Sequence, residues 1–167
     1  MKKAFLLFLI IYISSFSIKD FNGINWGDTG NDLSIIFPKV EKEPTVDENT
    51  TILSVEDPKE NIEKYQFYLV NDSLTKIRVV FDKEKIGTRQ LQNLYQRLLK
   101  DIGSPVLKFP ISKDVGNFHL KGNTIKFIPD SETIIYFTGL DSIDELGKMF
   151  DSNLYLDYIP AQSNYDF

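Results

Sequence analysis

The sequence predicts an α+β fold: an antiparallel sheet of about six to seven strands in two meanders, with two to three helices on one face. Three observations predict it. Short apolar runs separated by Asn, Asp, Gly and Pro turns recur in two groups, at residues 51–81 and 117–138. One long segment of helical period lies between the groups. Shorter helical signals precede the first group and follow the second, so helices and strands are not strictly alternating as in a parallel sheet.

The elements are justified in chain order. Trp26-Gly27-Asp28-Thr29-Gly30 reads as a turn into a short helix, because an oxygen side chain at Asp28 or Thr29 accepts a bond from a free helix N–H. Leu33, Ile36 and Phe37 share one face of that helix, and Pro38 ends it. Residues 41–49 are acidic and contain Pro44, which predicts a solvated loop. Thr51–Val55, Tyr65–Val70 and Leu74–Phe81 read as strands, the last two joined by the turn Asn71-Asp72-Ser73. From Thr88 to about Ile102, Leu91, Leu94, Tyr95, Leu98, Leu99 and Ile102 draw one apolar stripe, stopped by Gly103-Ser104-Pro105. Asn117–Lys121, Thr124–Ile128 and Thr133–Thr138 read as three more strands, with turns at Gly122-Asn123 and Pro129-Asp130-Ser131. Ser142-Ile143-Asp144-Glu145 has the form of a capping box opening a short helix that points Ile143, Leu146, Met149 and Phe150 inward. Leu154–Ile159 is an edge strand stopped by Pro160, and residues 161–167 are a tail. The two helix-plus-meander halves invite comparison as a duplication, without a residue-level repeat.

At 167 residues the chain has room for one domain, expected over residues 18–160. Its 42% hydrophobic and 26% charged residues are those of a globular protein, not of a disordered or polytopic membrane chain. Residues 1–17 have the layout of a secretory signal peptide: Lys2 and Lys3, an apolar run to Phe16, and Ser15 and Ser17 at the small positions before a cut at Ile18. The run is shorter than the roughly 20 residues that span a bilayer. Losing Lys2 and Lys3 moves the net charge from -5 to -7, so neither nucleic acid nor an anionic membrane is an expected partner. A periplasmic or secreted protein follows, with no integral membrane segment once the leader is removed. The absence of cysteine excludes disulfides, thiolate metal sites, Cys nucleophiles and attachment of a lipid through cysteine.

Few residues carry chemistry. His119, the single histidine, lies between Phe118 and Leu120 and reads as a half-exposed strand residue; one imidazole cannot build a histidine metal site. Gly27-Asp28-Thr29-Gly30-Asn31-Asp32 has the oxygens of a calcium loop, but Gly30 and Lys39 stand where an EF-hand needs ligands, and helix capping explains the string. The acids Glu41, Glu43, Asp47, Glu48, Glu56, Asp57, Glu60 and Glu63 read as a solvated face. Ser73-Leu74-Thr75-Lys76 matches S-x-x-K, but in a turn-to-strand segment, where the Lys does not return to the face of the Ser. No phosphate-binding glycine loop or metalloprotease string is present, so no cofactor is expected. Tyr65 and Phe67 fall on one face of their strand and Tyr68 on the other, which makes Tyr65, Phe67 and Tyr68 a candidate partner-binding face: a strand apolar on both sides is either covered twice or awaiting a partner.

The run Trp26-Gly27, Asp32-Leu33, Phe37-Pro38, followed by Tyr65-x-Phe67, by Leu74, Ile77, Val79 and Phe81, and by Gly103-Ser104-Pro105, resembles small exported bacterial domains with an N-terminal W-G motif. Those are distantly similar to the SmpA/OmlA (BamE-like) envelope lipoproteins and to beta-lactamase-inhibitor-like repeats. The resemblance covers residues 22–105 and implies a non-catalytic, partner-binding or scaffolding role in the cell envelope, without the lipobox cysteine of the lipoproteins. The leading expectation is therefore an exported, non-catalytic module that binds an envelope protein through strand edges or an aromatic sheet face. The alternatives are an inhibitor or immunity-type protein using the acidic segment 41–63, and a small carboxylate-dependent glycan hydrolase.

Overall fold

The computed structural model describes Ile18 and residues 20–162. The expected signal peptide, residues 1–17, and residues 163–167 of the expected tail lie outside the described residues. In chain order the elements are α1 (Gly30–Ile36), β1 (Glu41–Glu43), β2 (Thr50–Lys59), β3 (Ile62–Val70), β4 (Ser73–Phe81), α2 (Thr88–Asp101), β5 (Leu107–Val115), β6 (Phe118–Phe127), β7 (Thr133–Asp144) and β8 (Met149–Pro160). All eight strands form one antiparallel sheet in the order β1-β2-β3-β4-β8-β7-β6-β5. Two four-stranded meanders thus meet last strand to last strand, each preceded in sequence by a helix. The joint is short: Ile77, Arg78, Val79 and Val80 of β4 pair with Tyr158, Asp157, Leu156 and Tyr155 of β8.

This overturns the α+β expectation. The protein is mostly sheet, with eight strands instead of six to seven and two short helices of 7 and 14 residues among the described residues. The helix expected from Ser142 does not exist. β7 runs on to Asp144, pairing His119 with Ile143 and Phe118 with Asp144, and β8 begins at Met149. Here Asp144 caps a turn instead: its Oδ1 accepts from the backbone N–H of Leu146 and Lys148, and Gly147 takes φ 77°. Leu146, Met149 and Phe150, expected inside, are 92%, 61% and 72% exposed. Gly122-Asn123 is likewise no turn but the middle of β6. A Cβ on Gly122 would lie 2.0 Å from the carbonyl oxygen of Gly139, so the glycine permits close approach of β7, the other reason for glycine in a strand. Two strands at the sheet edges are additions: β1 in the expected acidic loop, and β5, whose Pro110 is tolerated because β5 has only one neighbour.

The strand read at Leu154–Ile159 is no edge strand: β8 lies between β4 and β7 and pairs with both, at the centre of the sheet. Several expectations stand. Thr29 is the N-cap of α1, its hydroxyl accepting from the Asp32 N–H while the Asp32 carboxylate accepts from the Thr29 N–H. This reciprocal pair satisfies two helix-end donors. The α2 stripe faces the sheet. Leu33 of α1 and Leu98 of α2 join one core with Phe67, Ile77, Phe127 and Ile135, which places both helices on the same face. Ahead of α1, Ile18, Phe21 and Ile24 form a turn sunk into that core, closed by the Ile18 N–H to the Ile24 carbonyl at 3.0 Å. Phe21 meets Tyr65 and Tyr158 edge-on, with ring centroids 5.2 and 5.4 Å apart. Each such side chain contributes about 2 kcal/mol on burial, so this face anchors the fold.

Candidate functional site

The opposite face of the sheet is packed by neither helix, and its register sets out two polar-aromatic rows. Ser54, Gln66, Arg78, Asp157, Tyr136 and Lys126 are successive cross-strand partners from β2 to β6. Beside them run Lys64, Val80, Tyr155, Thr138, Thr124 and Phe109, from β3 to β5. Alternation along each strand forces this: Ile77, Val79, Leu156 and Tyr158 point to the helices, so Arg78 and Asp157 must point away.

Arg78 and Asp157 lie at the joint between the meanders. The guanidinium donates through Nε and Nη2 to the two carboxylate oxygens, both at 2.7 Å. The Asp157 side chain is 2% exposed and that of Arg78 24%. Burial works against the charged guanidinium, but the hydrogen bond and charge of Asp157 outweigh it and raise the pKa of Arg78. The same guanidinium lies over the Tyr155 ring, 4.0 Å from its centroid, with the Tyr68 ring 5.9 Å away on another side. Lys76 Nζ is 3.6 Å from the Tyr68 centroid, and Lys126 Nζ is 5.7 Å from that of Tyr136. Burial, then the charge of Arg78, lowers the Lys76 ammonium to about 8, and burial raises the phenols of Tyr68 and Tyr155. At the β1 end, Gln66 donates to Glu43 at 2.7 Å and Tyr68 donates to Gln66 at 3.3 Å, while Lys64 stands 3.4 Å from Glu43. Tyrosines fixed beneath cations, around a guanidinium already held flat, make a surface ordered before any ligand arrives.

The three residues expected to face a partner are divided by the sheet. Tyr65 and Phe67 are 6% and 0% exposed beneath α1 and the N-terminal turn, out of a partner's reach. Tyr68 alone lies on the helix-free face. Sequence reasoning missed Arg78 and Tyr155, and with them Asp157 and Tyr136, which at 1% and 5% exposure support the face from within the sheet and do not themselves reach a partner. One signal was available: Asp157 is the one acid in the apolar stretch Leu154–Ile159, between Leu156 and Tyr158, and such a charge is seldom buried without a partner. Its partner, 79 residues upstream, carries no local mark.

His119 is placed on β6 and does find an acid. Its Nδ1 is 2.7 Å from Asp114 Oδ1, and its Nε2 is 3.2 Å from Ser112 Oγ. The connectivity is that of a Ser-His-Asp triad, but it arises because Asp114 and His119 are direct cross-strand neighbours at an exposed hairpin. The Asp114 side chain is 86% exposed, so water competes for these bonds, and the open hollow beside His119, walled by Asp114, Phe118, Asp144 and Glu145, does not include Ser112. The expected acidic loop at 41–63 is largely strand. Residues 44–49 form a loop, where Asp47 accepts from the Asn49 N–H and the Thr50 hydroxyl, and Glu60 and Asn61 turn the chain from β2 into β3.

Among the described residues no group of three or more His, Asp or Glu side chains is placed to hold a metal ion, and no helix is long and apolar enough to cross a membrane. Compared with known proteins, the chain matches no family model, no curated protein and no solved structure.

Proposed function

We propose that this chain is a non-catalytic protein-binding module of the cell envelope, exported by its N-terminal leader, and that it engages its partner protein through the helix-free face of the sheet. One observation carries the reading: the ordered patch of Tyr68, Arg78 and Tyr155 at the joint of the two meanders. Tyr and Arg are the side chains enriched where protein interfaces concentrate their binding energy, Tyr because it buries a large area at low entropic cost, and here the Arg78 guanidinium is already held by Asp157. The face is favoured over the strand edges. β1 is three residues long and charged, and β5 carries Lys108, Pro110 and Lys113, features that discourage strand addition. Export is supported by the leader pattern of residues 1–17.

Crosslinking in intact cells followed by affinity capture tests this. Tyr68→Ala and Tyr155→Ala, with the fold checked by circular dichroism, are expected to lose a specific envelope protein that the unchanged chain retains. Retention of that protein by both variants sinks the reading. A second reading, an inhibitor-type protein, is favoured by the stiff 44–49 turn, which presents a fully exposed Val46 beside Asp47 and Glu48. Loss of capture in Val46→Asp, with the tyrosine variants unaffected, selects it. Ser112 is expected to stay unlabelled by fluorophosphonate probes, and labelling that depends on His119 would replace both readings with a hydrolase.

A further inference from the structure

At one end of the sheet the second meander runs on past the joint. β4 meets β8 only from Tyr155 to Tyr158, so residues 149–154 extend beyond the last shared pair, roughly 20 Å at the rise of a strand. β6 and β7 follow them outward and pair Phe118 with Asp144, which sets the β5–β6 and β7–β8 hairpin tips side by side. These tips hold four apolar side chains in water: Leu146, Phe150, Met149 and Val115 are 92%, 72%, 61% and 48% exposed. Phe150 lies against Phe118, ring centroids 5.0 Å apart, so the two tips present one apolar cap. A contiguous exposed cluster of this kind marks a surface that meets a protein or a membrane.

Three features select lipid. First, side chains this exposed stand clear of the body and form no groove, and the cap lacks the Tyr, Trp and Arg that concentrate binding energy between proteins. Phe and Leu are side chains that enter the boundary between head groups and acyl chains. Second, the backbone at the apex is closed on itself. The Asp144 N–H donates to the Lys148 carbonyl and the Gly147 N–H to that of Asp144, both at 2.9 Å. Asp144 Oδ1 accepts from the Leu146 and Lys148 N–H at 3.0 and 2.8 Å. A turn with its donors satisfied internally avoids the cost that unmade hydrogen bonds carry in an apolar phase. Third, the charges fit one kind of head group. Lys83 pairs with Asp151, while Lys113 and Lys148 stand against Asp114, Asp144 and Glu145. No positive surplus exists to attract an anionic bilayer, and the chain as a whole is at -5. A zwitterionic head group offers phosphate to Lys148 and ammonium to Glu145, the charged residues that flank Leu146 and Gly147, and both side chains can reach back to it from the apex.

We infer that the paired hairpin tips dip into a zwitterionic phospholipid surface, with Leu146, Met149 and Phe150 at the boundary of head groups and acyl chains and the rest of the sheet in water. The cap shares no residue with the tyrosine patch and stands independently of it. The chain has no cysteine, so an environment-sensitive fluorophore on Asn117→Cys, at the exposed β5–β6 turn, reports this end alone, whatever the leader does. Phosphatidylcholine vesicles with nitroxides on the acyl chains are the probe. Emission is expected to shift to the blue and to be quenched, saturably with lipid. The same label on Val46→Cys, fully exposed at the opposite end of the sheet, is expected to stay unchanged. Phe150→Asp is expected to lower the insertion constant at least about tenfold. Leu146→Asp, at a side chain almost wholly in water, is expected to do the same without touching the fold. Replacing part of the lipid with phosphatidylglycerol is expected to weaken insertion. No quenching at Asn117→Cys, equal quenching at Val46→Cys, or full insertion by both aspartate variants overturns the site. Stronger insertion with phosphatidylglycerol overturns the zwitterionic head group. A blue shift that grows with protein concentration in the absence of lipid overturns the lipid surface in favour of a second copy of the chain.

Discussion

Arg78 and Asp157 show how much a single pair of residues can decide. A buried ion pair gains little over a well-packed apolar pair, but removing one member strands the other charge. Arg78→Met alone is therefore expected to lower stability by about 3 kcal/mol, read as a drop in urea midpoint, and Arg78→Met with Asp157→Leu to recover most of that loss. An additive double variant would mean that the two side chains do not depend on each other. Lys76 gives a pH dependence of definite sign. Burial, then Arg78, lowers its ammonium to about 8, against roughly 10.4 for lysine in an unfolded chain. Between pH 8 and about 10 the unfolded chain binds more protons than the folded one, so stability rises with pH there, while below pH 8 the cost of the charge is constant. Above about pH 10 the raised phenols of Tyr68 and Tyr155 oppose the trend. Urea midpoints from pH 7 to 10 should climb for the natural chain and stay level for Lys76→Met.

Among the elements, β6 and β7 depend most on a single small residue. Their ten-residue ladder places Gly122 opposite Leu140 and next to the Gly139 carbonyl, where a Cβ would stand 2.0 Å from backbone oxygen. No side-chain rotation relieves that contact. Gly122→Ala is expected to cost about 3 kcal/mol and to speed amide exchange along both strands, whereas Gly116→Ala, at an open hairpin with only φ 58° against it, should cost no more than about 1 kcal/mol. Comparable losses at the two positions would place the close approach elsewhere. The edge strands fit the same logic of local chemistry. β1 and β5 close the sheet with charge and proline, which discourages strand addition at either edge.

For the whole molecule, the question is whether the two meanders are one cooperative unit. They share only four paired positions at the β4–β8 joint, but the core crosses it without a break: Tyr158 meets Phe21, and Trp26 of the first half bonds Thr133 of the second. Unfolding in urea is accordingly expected to give one transition, with Trp26 fluorescence and far-ultraviolet circular dichroism superimposed. Separated curves would make the halves independent domains. The joint is also where the tyrosine patch sits, so the surface proposed for partner binding exists only while both halves are docked.

The amino-acid order by itself determined α2, the Thr29 cap, strands β3 and β4 and the central alternation, because each rests on contacts within a few residues: a 3.6-residue stripe, a side chain three positions from its helix, a two-residue period. The Ser142 segment and Gly122 were misread because capping oxygens and glycine serve turns and close strand approach as readily as helix starts and loops, and the pairing of β6 with β7 that chooses between those uses, Gly122 with Leu140 and Leu120 with Ser142, is not local in sequence. Tyr68 was legible as facing away from Tyr65 and Phe67, but which side the helices would cover was not, and that choice removed two of the three candidates from the surface. The rest of the patch, Arg78 with Asp157 between Tyr68 and Tyr155, was assembled by the sheet order alone. Strand pairing across 79 residues is selected by the burial of the whole apolar face, an energy that no local window contains.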